Sequence, residues 1–180
     1  MEAAARDVLD FWLDAGPERW FRGGADFDAR CRERLLEPHM AASRGELEPW
    51  LEWADSAMAL VLLLDQVPRN IFRGSAHAYA TDPLACAAAT RAVGHGFDTQ
   101  VDPPLRRFFY LPFTHIEDPM QQQRSVELHR TMPGEEPDKW ALHHQAVIQR
   151  FGRFPHRNHL LGRPTTPTEQ AWLDAGGFSG

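Results

Sequence analysis

Four arginines, at positions 150, 153, 157 and 163, share the stretch Arg150 to Arg163 with His156 and His159 and with no acidic residue. A guanidinium grips a carboxylate or phosphate through two parallel hydrogen bonds, so such a stretch suits a small anion. Gly152 supplies a sharp backbone turn at its start. Two other uses fit the same residues. Asp65 and Glu117 can neutralise the arginines as an internal brace, or the arginines together with Phe151 and Phe154 can hold single-stranded nucleic acid. The patch is short and the chain carries a formal charge of −6, which favours a pocket over nucleic acid.

The histidines are the proton carriers available beside this patch. In KWALHHQAVIQRF, the residues Trp140, His144, Val147, Ile148 and Phe151 recur at spacings of three and four, so they share one helix face. His144 therefore points with the apolar set. His143 is displaced by about 100° and belongs at the rim or in solvent. A histidine on an apolar face is commonly a hydrogen-bonded core residue, and only the neighbouring arginines raise it to a candidate. His115 and Glu117 come together in YLPFTHIEDP, just before the helix start at Asp118-Pro119. Glu117 there lies near the positive end of a helix, which favours its ionised form. A metal version of the site recruits His115, Glu117, His144 and His156, although their spacing matches no standard zinc motif.

A third polar cluster ends the most apolar run of the chain, LLLDQVPRN. An acid at the C-terminal end of a helix meets the negative end of the macrodipole. Asp65 therefore requires a cation, and Arg69 and Arg73 are the local choices. A buried brace at a helix corner and a ligand role both answer that need.

These groups must be positioned by helices, because no segment sustains the alternation of a half-buried strand. Ala4 to Asp14 reads as a first helix stopped by Gly16 and Pro17, and Phe27 to Met40 as a second before a turn at Ser43 to Gly45. Leu47 to Trp53 leads into a third, Ala54 to Gln66, apolar on nearly all sides and hence central, which Pro68 ends or kinks. Asp82-Pro83, Asp118-Pro119 and Thr166-Pro167 each place a side-chain acceptor before a proline that needs no partner for its missing N–H. Thr166 with Glu169 completes a capping box. Pro104 to Phe109 reads as a further helix, and Pro137 to Phe151 as a long one closed by Gly152. The expectation is an all-α fold of seven to eight helices, arranged as a superhelix of stacked pairs or a compact antiparallel helical array.

The chain has 180 residues, 43% hydrophobic and 24% charged, with fourteen prolines scattered along it as punctuation. A single all-helical domain over residues 1–180 is expected. The longest wholly apolar run, Ala57 to Leu64, falls far short of the roughly 20 residues that cross a bilayer. The N-terminus carries Glu2, Arg6 and Asp7 and has no apolar signal core. Cys31 and Cys86 form no disulfide framework and read as reduced thiols, so a cytoplasmic setting is expected.

The motifs FW, WF, FD, LLLDQVPRNIFRG, YLPFTHIED, QRSVEL and RFGRFPHRNHLLGR, in that order, resemble the bacterial domain of unknown function number nine hundred twenty-four across nearly the whole chain. The resemblance implies a helical fold similar to tetratricopeptide superhelices and little about activity. It implies as recurrent polar positions Asp65, Gln66, Arg69, Asn70, Arg73, His115, Glu117, Gln122, His144, Arg150, Arg153, His156, Arg157 and Asn158. This chain departs from the family's His-Ser-Glu by carrying Ile116 between His115 and Glu117.

Together these readings predict a pocket where the Asp65 corner, the His115 loop and the arginine loop converge on a small anionic molecule. In an enzymatic version Arg153 and Arg157 hold the anion, His144 or His156 exchanges a proton, and Asp65 or Glu117 orients that histidine. Proton transfer of this kind contributes about 10² to 10⁴ in rate, and hydrolysis or elimination fits it. No cofactor is expected beyond the divalent metal of the variant above, and no nucleic-acid or membrane partner. The rival is a groove that presents a peptide or protein partner without catalysis, supported by fold analogy alone.

Overall fold

The computed structural model describes residues 2–177. Among them there are eight α-helices and four short 3₁₀ turns, with no strand. The helices are α1 (Ala3–Arg22), α2 (Ala25–Ser43), α3 (Ala54–Ile71), α4 (Asp82–Gly94), α5 (Pro103–His115), α6 (Pro119–Arg130), α7 (Lys139–Phe151) and α8 (Pro167–Asp174). None is long and apolar enough to cross a membrane. The chain divides into two compact units, Met1–Arg73 with His77–Pro112, and Gly74–Ala76 with Phe113–Gly180.

In the first unit α3 is the centre, packed against α1, α2 and α4. Every residue from Ser56 to Pro68 is buried, as the apolar run on all sides requires. Around it Trp12, Phe27 and Phe108 form an aromatic cluster in which Trp12 meets Phe108 edge-on, with ring centroids 5.6 Å apart. The break at Gly16 occurs as the sequence indicates, since Gly16 holds φ 73° and ψ 169°. The helix then restarts at Pro17 and runs to Arg22, a continuation not foreseen from the sequence. Trp20 fastens the two halves by donating its indole N–H to the Trp12 carbonyl at 2.6 Å.

Pro68 does not end α3, which continues to Ile71. Proline removes the N–H that would have bonded the carbonyl of Leu64, and a buried orphan carbonyl is costly. Thr81 supplies the missing donor, its hydroxyl reaching the Leu64 carbonyl at 2.6 Å. One residue earlier, His39 donates from Nδ1 to the Leu63 carbonyl at 2.8 Å. A distant side chain thus makes a proline tolerable inside the most buried helix. α4 starts at Asp82 with Pro83 in its first turn, as the sequence indicates, and the Asp82 carboxylate also reaches Arg69.

In the second unit α6 packs along α7. Asp118 caps α6 by accepting from the Gln121 N–H, and Thr166 with Glu169 forms the full capping box of α8. Gly152 ends α7 in the left-handed conformation with φ 70°, where a residue bearing Cβ is strained. Val147, Ile148 and Phe154 form a small core against Phe151 and Trp172. Trp140 lies outside it, 65% exposed in the first turn of α7, so the apolar face read from the sequence begins at His144. α5 is longer than expected and runs through Pro112 to His115.

Candidate functional site

The polar residues that close α3 answer one another within the first unit. Asp65 is fully buried and its carboxylate lies 3.4 Å from Arg69, which also contacts Asp82 at 2.9 Å. Burial opposes the Arg69 charge, but Asp65 and Asp82 outweigh it and its pKa is raised. Gln66 donates to the Asp65 carboxylate at 2.5 Å, and Asn70 donates back to the Gln66 carbonyl at 3.0 Å. Arg73 grips Asp28 through two bonds of 2.7 and 2.9 Å and also donates to Asn70. Arg32 donates to the Ile71 carbonyl, one of the acceptors left open at the helix end. In this unit, then, the cation that Asp65 requires is Arg69, whereas Arg73 serves Asp28.

The second unit holds the histidines and the arginine loop. Gln122 is fully buried and donates from Nε2 to the carbonyls of Thr114 and Ile116 at 2.6 and 2.8 Å. It clamps the backbone on either side of His115, a role that uses Ile116 through its carbonyl and needs no hydroxyl there. Glu117 takes both terminal nitrogens of Arg163, at 2.6 and 2.9 Å, and the backbone N–H of Phe154 at 2.7 Å. Burial works against its charge, yet these donors, with Arg157 nearby, hold its pKa below the usual carboxylate value. Arg153 makes the parallel pair, donating to Glu169 at 2.6 and 2.8 Å. That pairing, with the Thr166 N–H, pulls Glu169 down to about 2. Asn158 latches the two pairs together, accepting from Arg163 at 3.0 Å and donating to Glu169 at 3.3 Å.

Arg157, His144 and His156 gather on Phe154. Arg157 is 6% exposed and lies over the Phe154 ring at 4.6 Å. His144 meets that ring edge-on at 5.6 Å, and His156 stands 5.8 Å from it. His115 lies 6.4 Å from His144. The Nδ1 of His144 is 2.8 Å from the Trp140 carbonyl, an acceptor only, so Nδ1 carries the proton and donates. Burial pushes His144 down to about 3, with repulsion from His115, His143 and Arg157 adding to it. His144 is therefore neutral at physiological pH.

The structure thus brings His115, His144, His156 and Arg157 together and separates from them Arg153, engaged by Glu169, and Arg150, exposed beside Phe151. His143 is exposed, as its displacement on the helix indicates. Among the described residues no three histidines, cysteines or carboxylates are disposed to hold a metal. Glu117 in particular is committed to Arg163. The sequence reading passed over Arg163 and Glu169. Arg163 was visible as the last arginine of the loop, but Glu169 carried only a capping signal, and its second role depends on a contact 16 residues away. In the first unit an open recess of about 230 Å³ is lined by Arg6, Asp10, Asp55, Asp102 and neighbouring leucines, none of them singled out from the sequence.

The order and spacing of these motifs are matched by a family model described as bacterial protein of unknown function (DUF924), over residues 8–177. The chain belongs to this family. A solved structure described as a protein of unknown function from Agrobacterium tumefaciens is 50% identical to this chain and superposes with a TM-score of 0.93. The match covers 97% of this chain and 98% of that one. No curated protein matches it. DUF924 membership thus agrees with the all-helical fold and leaves the chemistry to be argued from side chains.

Proposed function

We propose that this DUF924 protein binds a small anionic molecule at the cationic cluster around Phe154, in a cytoplasmic setting. One observation carries the reading. Arg157 lies over the Phe154 ring with His144 and His156 against the same ring and His115 beside His144, so a guanidinium and three imidazoles share one small region. Guanidinium and imidazole N–H groups are donors suited to an oxyanion. Binding is better supported than turnover by His144. A histidine whose pKa stands at about 3 is a weak proton acceptor at neutral pH, far from the value that suits a general base.

Isothermal titration with inorganic phosphate, sulfate and citrate tests this reading. Arg157→Gln removes a charged donor, and a charge-assisted hydrogen bond contributes about 1.5–3 kcal/mol, so affinity should fall about 10- to 100-fold. Arg157→Lys, which keeps the charge and loses the fork, should fall between. If none of the three anions binds, or if Arg157→Gln binds as tightly as the parent, the proposal is wrong.

A further inference from the structure

Apart from the Arg157 cluster, the geometry points to a second anion position in the same unit. We propose that the Phe154 N–H and the Arg163 guanidinium form a binding site for a carboxylate, that the chain fills it with its own Glu117, and that a small carboxylate ligand binds there by displacing that side chain. The two terminal nitrogens of Arg163 meet the two oxygens of Glu117 at 2.6 and 2.9 Å, and the Phe154 N–H adds a third bond at 2.7 Å. A guanidinium fork with one backbone N–H recognises a carboxylate by shape as well as by charge.

Each donor is held by something other than Glu117. Arg163 donates from Nε to the Asn158 side-chain oxygen at 3.0 Å and from Nη2 to the Phe154 carbonyl at 3.2 Å. Asn158 is fully buried, donates to Glu169 at 3.3 Å, and accepts the Arg163 backbone N–H on its own carbonyl at 2.8 Å. Phe154 is fully buried as well, which fixes its N–H. The cradle therefore keeps its shape when Glu117 swings away. Glu117 itself stands on the three-residue connection between α5 and α6. That connection is pinned by Gln122 at the Ile116 carbonyl and by the Asp118 cap on α6. Release thus takes rotation of one side chain and no movement of the backbone. The side chains of Arg163 and Glu117 are 23% and 24% exposed, so a solute can reach them. A brace and a filled site differ in one respect, which is that only the site accepts a substitute. An internal carboxylate lowers the apparent affinity of its rival by the fraction of molecules in which the cradle is open. One charge-assisted hydrogen bond shifts such an equilibrium about 10- to 100-fold, so Glu117 weakens ligand binding by at least about tenfold.

Acetate at pH 7 is the probe, with chloride at matched ionic strength as the control. Binding to the full chain is followed by the amide resonance of Phe154 and the Nε–H resonance of Arg163. Glu117→Ala removes the internal carboxylate, and Glu117→Asp withdraws it by one methylene while keeping the charge. Acetate should bind Glu117→Ala at least about tenfold more tightly than the wild-type chain, with Glu117→Asp between, and adding Arg163→Gln to Glu117→Ala should abolish the gain. In the wild-type chain, saturating acetate should move the Glu117 carboxylate carbon resonance to the position of a solvated glutamate, a measurement that stands even where a variant fails to fold. Acetate binding no tighter without Glu117, a gain that survives Arg163→Gln, or a wild-type Glu117 resonance that acetate leaves unmoved each overturns the proposal. The Arg157 cluster does not include Arg163, so none of these failures touches the anion reading of that cluster.

Discussion

Glu169→Gln isolates the more enclosed of the two arginine pairs. The Glu169 carboxylate is 3% exposed and accepts from Arg153 at 2.6 and 2.8 Å, from the Thr166 N–H at 2.8 Å and from Asn158 at 3.3 Å. Glutamine keeps the volume and one carbonyl oxygen, but its amide turns N–H groups toward the guanidinium. A hydrogen bond to a charged group contributes about 1.5–3 kcal/mol and a neutral one about 1 kcal/mol, so three close bonds lose about 3 kcal/mol. Arg153 is 27% exposed, and solvent recovers part of this, leaving about 2 kcal/mol. For a chain of this length that lowers Tm by about 4–8 °C. The loss also depends on pH with a definite sign. The folded pKa of Glu169 is depressed to about 2 from 4.5, so its contribution is full above the unfolded value and is lost as pH falls through 2. Urea melts at pH 7 and pH 3 should show the gap between parent and variant shrinking by roughly half or more at the lower pH. A gap under about 0.5 kcal/mol at pH 7, or one unchanged at pH 3, would refute the account of this pair.

Two further outcomes follow from buried donors and acceptors. Thr81→Val keeps the shape but removes the hydroxyl that serves the Leu64 carbonyl, and should cost about 1–3 kcal/mol in urea melts, while Thr81→Ser stays near the parent; equal stability of the valine variant would show that the carbonyl behind Pro68 needs no donor. His39 and His144 both have pKa values lowered by burial, so each contributes stability present above the unfolded value near 6.5 and lost below it. In the absence of anion, stability should fall between pH 6 and pH 5, by up to about 1.4 kcal/mol per pH unit from His144 with His39 adding in the same direction, and His144→Asn should remove the His144 share; a flat profile over that range counts against both neutral histidines.

Helix periodicity was legible because it is local. The apolar run of α3, the Asp118 and Thr166 starts and the Gly152 stop each depend on residues within one turn, and each formed as the sequence indicates. Pro68 misled because proline's local rule was overridden by Thr81, a donor 13 residues away along the chain, whose arrival no spacing encodes. Asp82 marks the start of α4 as its type and its proline suggest, while its pairing with Arg69 is a contact that no local rule encodes. In the arginine loop the residue types announced charge pairing without announcing the partners. Glu117 takes Arg163 and Glu169 takes Arg153, which divides two of the loop's arginines between two carboxylates. That division depends on side-chain reach across turns, which composition does not contain.

The trio at the end of α3 also governs how this chain can change over generations. Arg69 is the cation that Asp65 and Asp82 share where little water reaches, so replacing it alone takes the guanidinium from two buried carboxylates at once, at a cost of about 3–5 kcal/mol. Replacing a buried ionic group as a whole by apolar residues of matching volume is often neutral or stabilising. The neighbouring solutions in sequence space are thus separated by an intermediate that folds badly. Drift at Arg69 must be concerted with its two acids, and the arginine is held less by its own contribution than by the harm its loss does to them.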